Sequence, residues 1–176
     1  MHRLGLIMSL AVIFTFHQLS MAQKIPWSIG GRIGFWQEHI EQQTNRRFVF
    51  LPEVSCDMND RWSVSIAMGY EYSSEHELQS NYSAFIISPS VSYTVMQRGI
   101  LSLSAIASCG WAIGSQNGFE IGMAPELSID LTERFSIDAR CGFAGYRNNF
   151  NKSGTGFGVD LDASEITFGI SYLFIK

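Results

Sequence analysis

Apolar residues alternate with small or polar ones through eight segments of this chain. In "WSIGGRIGFW" (27–36), Trp27, Ile29, Ile33 and Phe35 fall on one side, with Ser28, Gly30, Arg32 and Gly34 on the other. "WSVSIAMGYEY" (62–72) sets Trp62, Val64, Ile66, Met68, Tyr70 and Tyr72 against Ser63, Ser65, Ala67, Gly69 and Glu71. A period of two marks a β-strand whose two faces meet different surroundings. The pattern recurs over 47–56, 85–95, 101–111, 119–131, 135–143 and 165–174, and no long segment has helical spacing. Eight strands of one all-β domain are the expectation.

Three of these segments contain a proline: "FLPEVSC", "ISPSVSY" and "MAPELSI". Pro52, Pro89 and Pro125 are 37 and 36 residues apart, which is the length of one hairpin with its connections. Short connections fall at 57–61, 96–99 and 132–134, and longer polar ones at 39–45, 73–81 and 147–160, with a brief 115–118 among them. Each short connection is followed by an arginine and a related strand: Arg61 before "WSVS", Arg98 before "GILSLS", Arg134 before "FSID". Proline has no N–H for a ladder and keeps to edges, strand starts and bulges. All three prolines lie at one level in strands running toward short turns, so each is expected at a bulge or a missing ladder bond.

Composition decides which way the apolar face looks. The water-exposed face of a soluble barrel would be about a quarter to a third charged, with lysine common. Here the polar face is mostly Ser, Gly and Ala, and the chain has only three lysines, Lys24, Lys152 and Lys176. Small residues with sparse charge suit the narrow inside of an eight-stranded barrel. Trp27, Trp62, Tyr93, Trp111, Phe119, Phe135 and Phe174 lie near strand ends on the apolar face, as in the girdles of a membrane barrel.

The first 22 residues join a short basic start (His2, Arg3) to the uncharged 13-residue run Leu4–Phe16 and then to Ser20 and Ala22. That is the plan of a secretory signal peptide cleaved after Ala22, and the run is too short for the roughly 20 residues of a spanning helix. The expected division is a signal peptide over 1–22 and a β-barrel domain over 23–176. A net charge of −4 argues against a nucleic-acid partner. Cys56, Cys109 and Cys141 are odd in number and far apart, without paired histidines. They fit small apolar fillers better than a disulfide framework or a metal site.

Eight alternating strands after a secretory signal, short turns at one end and the ending "GISYLF" resemble the small OmpA-like outer-membrane β-barrels, the porin-like barrel domain of Gram-negative cell envelopes. The resemblance covers the whole of 23–176 and implies an eight-stranded antiparallel up-and-down transmembrane barrel with termini and short turns in the periplasm and long loops outside. It implies outer-membrane lipid as surroundings, and periplasmic chaperones and the barrel assembly machinery as partners during insertion. No cofactor is implied.

The face assigned to the interior carries Arg32, Glu53, Glu71, Glu120, Glu126, Asp130, Asp138, Arg140 and Glu165. With Leu131 opposite Phe135 across the third short turn, Arg140 falls opposite Glu126, and a similar height count puts Arg32 near Glu53. Charges in a narrow interior are expected to pair, plugging the barrel and fixing its register rather than forming an ion path. Outside, Arg147, Phe150, Lys152 and Phe157 in "RNNFNKSGTGFGVD" are available for contact with an extracellular ligand, or form a polar cap without a fixed partner.

Two other functions stay open. A lipid A-modifying outer-membrane enzyme would draw on His39, or on Ser73, Ser74, Glu75 and His76 in "SSEHE". Hydrolysis needs nucleophile, base and acid in mutual reach, which loop neighbours rarely provide, so no enzymatic activity is expected. A soluble secreted lipocalin-like carrier would need the face assignment reversed.

Overall fold

The computed structural model describes residues 26–40, 43–75, 80–150, 154–161 and 166–174. The proposed signal segment 1–22, and with it His76, Lys152 and Glu165, lies outside these residues. The strands are β1 (Trp27–Ile40), β2 (Gln43–Asp57), β3 (Trp62–Glu75), β4 (Ser80–Arg98), β5 (Leu101–Gly114), β6 (Gly118–Asp130), β7 (Phe135–Arg140), β8 (Phe143–Asn148), β9 (Gly156–Asp160) and β10 (Thr167–Leu173). β7 and β8 are successive parts of a seventh stave, and β9 and β10 of an eighth. Every neighbour is antiparallel, and β10 pairs with β1 on one side and β7 on the other. The result is a closed eight-stranded antiparallel β-barrel.

The strands are longer than their apolar patterns. Of positions 39–45, expected as a loop, the described ones all belong to strands, with Glu38↔Asn45 and His39↔Thr44 in register. β3 and β4 likewise reach Glu75 and Ser80, and β4 runs on to Arg98, leaving a turn at Gly99 with φ +62°. The connection expected over 147–160 begins and ends in β8 and β9, joined from Arg147↔Gly156 to Phe143↔Asp160. The reason is that N–H and C=O groups pair whatever their side chains, so a ladder continues beyond the point where apolar alternation stops.

The ladder skips at all three prolines. Between β2 and β3 it passes from Phe50↔Tyr70 to Glu53↔Ala67, omitting Leu51 and Pro52. Between β4 and β5 it passes from Ile87↔Trp111 to Ser90↔Ser108, omitting Ser88 and Pro89. Pro125 faces the break between β7 and β8, where Glu126↔Arg140 is followed by Met123↔Ala144. The seventh stave carries one residue more than β6 across this step. Gly142 takes it up at φ +71°, a conformation that favours glycine, as in a β-bulge. Each proline keeps its place on its other side, as Gly31↔Pro52, Ile66↔Pro89 and Ala105↔Pro125. A closed barrel therefore tolerates the residue because the missing N–H concerns only one of two neighbours.

Outward positions carry the large apolar side chains, among them Ile29, Phe50, Ile66, Met68, Phe85, Ile121 and Met123, all exposed. Aromatic residues gather at both ends of this surface. At the turn end Trp62 and Tyr93 meet at 4.8 Å, Phe135 and Tyr172 at 5.3 Å, and Tyr172 and Phe174 at 5.1 Å. At the loop end Phe119 meets Tyr146 at 5.6 Å and pairs in register with Trp111. Cys56, Cys109 and Cys141 are free thiols.

Candidate functional site

The barrel interior holds nearly all the chemistry of the molecule, and it divides into two halves. The half near the short turns is a cavity of about 980 Å³ lined by serines from every stave and by Arg32, Glu53, Asp57, Glu126, Asp130, Asp138 and Arg140. Inward serines facing each other across neighbouring strands hydrogen-bond in pairs. Ser65 and Ser90 are 2.7 Å apart, Ser136 and Ser171 2.6 Å, and Ser28 bonds Ser55. These hydroxyls satisfy one another without filling space, so the cavity stays open at the turn end.

Two ion pairs cross the cavity's inner end. Arg140 gives Nε and Nη2 to one oxygen of Glu126 at 3.1 and 2.8 Å, with Glu126 and Arg140 directly opposite in the ladder. Arg32 lies 2.9 Å from Glu53. Gly169 stands between Arg32 and Asp138 in the same cross-strand row, so no side chain separates the two charges. Asp130 is on the cavity wall near the mouth, opposite Ser136.

The loop-end half is filled. Tyr82, Ala84, Ile86, Ala112 and Phe150 form a buried apolar cluster, with Leu51 packed against it. Phe150 lies 3.2 Å from where a Cβ of Gly110 would be, so a side chain there would displace the ring. The Arg47, Glu71, Glu120 and Arg147 side chains in this half are largely buried and paired, and Asp160 is more exposed. Glu71, 1% exposed, accepts from Arg47 Nε at 2.9 Å. Arg147 gives Nε to Glu120 at 3.0 Å and Nη1 to Asp160 at 3.3 Å, with its guanidinium 4.1 Å above the Phe143 ring.

Several expectations change here. Arg147 and Phe150, expected as loop contacts, are interior residues: the Gly142 bulge puts Arg147 on the inward face of β8, and Phe150 follows the end of β8 after Asn149, at φ +50°. Phe157 is an outward residue of β9, 85% exposed. The plug expected of the whole interior fills only the loop-end half. Ser73 and Ser74 project to opposite faces of β3, Ser73 buried and Ser74 bonded to Asn81 at 3.0 Å. His39 and Glu75 are strand residues of β1 and β3. Arg47, Tyr82 and Phe143 were not anticipated inside. Arg47 and Tyr82 share the parity of Val49 and Ala84; Arg47 stands at the start of the 47–56 segment, and extending 85–95 back by three residues reaches Tyr82.

Comparison with protein-family models and with curated proteins finds no match. The arrangement of the barrel alone carries the functional reading.

Proposed function

We propose that the chain is an integral outer-membrane barrel of the OmpA-like kind, with a mainly structural role and an interior blocked in its outer half. One observation carries this reading: an apolar outward surface bounded at both ends by aromatic residues, around an interior of serines and ion pairs. Trp62 and Tyr72 bound that surface on β3, ten residues apart. At about 3.3 Å per residue and a tilt near 45°, this spans roughly 23 Å of height, close to the apolar band of about 25 Å in such barrels. In this reading the short turns face the periplasm and the loop end faces outward.

A carrier of apolar ligands would turn the same two faces the other way. The cavity is walled with hydroxyls and carboxylates, which suits water better than an apolar guest. The loop-mediated alternative loses Arg147 and Phe150 to the interior, and the lipid-modifying one has its serine pair split between faces. Cell fractionation with an alkaline carbonate wash tests the proposal. The chain should stay with the outer membrane, and release into the soluble fraction would refute it.

A further inference from the structure

The outward apolar surface is not evenly covered. One cross-strand row over β2 to β6 reads Cys56, Val64, Val91, Ala107 and Met123, with small side chains as far as Ala107. The outward row beside it on the loop side includes two more small residues, Pro89 and Cys109. Larger residues stand on either flank: Trp62 and Tyr93 toward the turns, Met68, Ile87 and Trp111 toward the loops. Between these lips runs an outward groove of about 700 Å³. β2 to β6 are described along the whole of it.

The groove is oblique. Cys56 adjoins the turn-end limit of β2 at Asp57, whereas Met123 lies near the middle of β6. With strands about 4.8 Å apart and tilted by about 45°, the four steps from β2 to β6 climb roughly 14 Å. That is close to half of an apolar band of about 25 Å, the depth of one leaflet. A cation stands at the turn-end lip. Arg61 is exposed, and its Nη1 donates to Tyr93 Oη at 3.2 Å, beside the Trp62 and Tyr93 ring pair. Asp57 and Asp60 share its turn, yet among the described residues no carboxylate forms an ion pair with Arg61.

We propose that this groove seats one anionic phospholipid of the turn-end leaflet, with an acyl chain along Val64, Val91 and Ala107 and its phosphate on Arg61. The inference rests on the membrane reading above. A chain of methylenes is flexible enough to follow an oblique floor and fill it. The phosphate supplies the counterion that Arg61 lacks, through charge-assisted hydrogen bonds, while Tyr93 holds the guanidinium at the interface. A wholly apolar occupant would leave that charge unmatched.

Lipid-borne quenchers test this in the full-length protein. Trp27→Phe, Trp36→Phe and Trp111→Phe together leave Trp62 as the only tryptophan. A control adds Trp62→Phe and Phe168→Trp, the latter an exposed outward position of β10 away from the groove. Each is reconstituted in phosphatidylcholine vesicles with a minor share of phosphatidylglycerol or phosphatidylcholine brominated in its acyl chain. Heat-dependent gel migration verifies folding. Trp62 should be quenched about fivefold more effectively by the brominated phosphatidylglycerol, the preference expected of one interfacial arginine. Phe168→Trp should respond to both lipids alike. Arg61→Gln should remove the preference at Trp62, and so should Ala107→Phe, which fills the floor. Equal quenching of Trp62 by both lipids, the same preference at Phe168→Trp, or a preference that survives either substitution would overturn the site alone. Absence of quenching at both positions would remove the membrane reading and the site together.

Discussion

The two halves of this barrel share eight staves and one alternation, yet they solve the problem of a narrow interior differently. The turn-end half uses serine, which satisfies its neighbours across the strands and leaves about 980 Å³ open. The loop-end half uses Tyr82, Ile86 and Phe150, which pack into a buried apolar cluster, and it buries Glu71 against Arg47. The difference teaches where the energy of an interior charge lies. A charge in the open half can keep some water, and its loss of a partner is cushioned. A charge in the filled half depends on its partner almost entirely.

The sharpest test of that contrast is Glu71→Ala, which removes the buried carboxylate that Arg47 Nε meets in the filled half. It should lower unfolding stability in detergent by about 3–5 kcal/mol, the usual cost of breaking a buried pair. Phe150→Ala comes next: an apolar cavity beside Gly110 should cost about 3 kcal/mol. Glu126→Ala, in the open half, should cost less, about 1–2 kcal/mol, because water can reach Arg140 through the cavity. Ser136→Ala should be the mildest, at about 0.5–1 kcal/mol, since it removes one hydroxyl pair and Ser171 can turn to solvent. Equilibrium urea unfolding of the four variants gives this order directly. If Glu126→Ala cost as much as Glu71→Ala, the division into two halves would be wrong.

The two halves also differed in how far the sequence disclosed them. Near the short turns the reading reached individual pairs. A three-residue connection set Leu131 opposite Phe135, and from that register the meeting of Arg140 with Glu126 followed by counting. Near the loops it failed for two physical reasons. "RNNFNKSGTGFGVD" has the polarity of a loop, although its ends pair as strands through backbone groups that polarity does not reveal. The bulge at Gly142 then shifts the inward parity by one residue, so Phe143 and Arg147 point inside where uninterrupted alternation would send them out. The prolines were legible as irregularities because proline lacks a donor in any sequence. That their missing bonds all fall on the side of the following stave needed coordinates.

The central claim is that the apolar face meets lipid and the serine face encloses the bore. It is tested most directly by gel migration in dodecyl sulfate with and without boiling, on protein extracted from membranes by detergent. A folded lipid-facing barrel should resist the detergent at room temperature and run at a different position after boiling. A protein that dissolves without detergent and gives one band under both conditions would contradict the account, and would make the apolar face the contact surface of a soluble assembly.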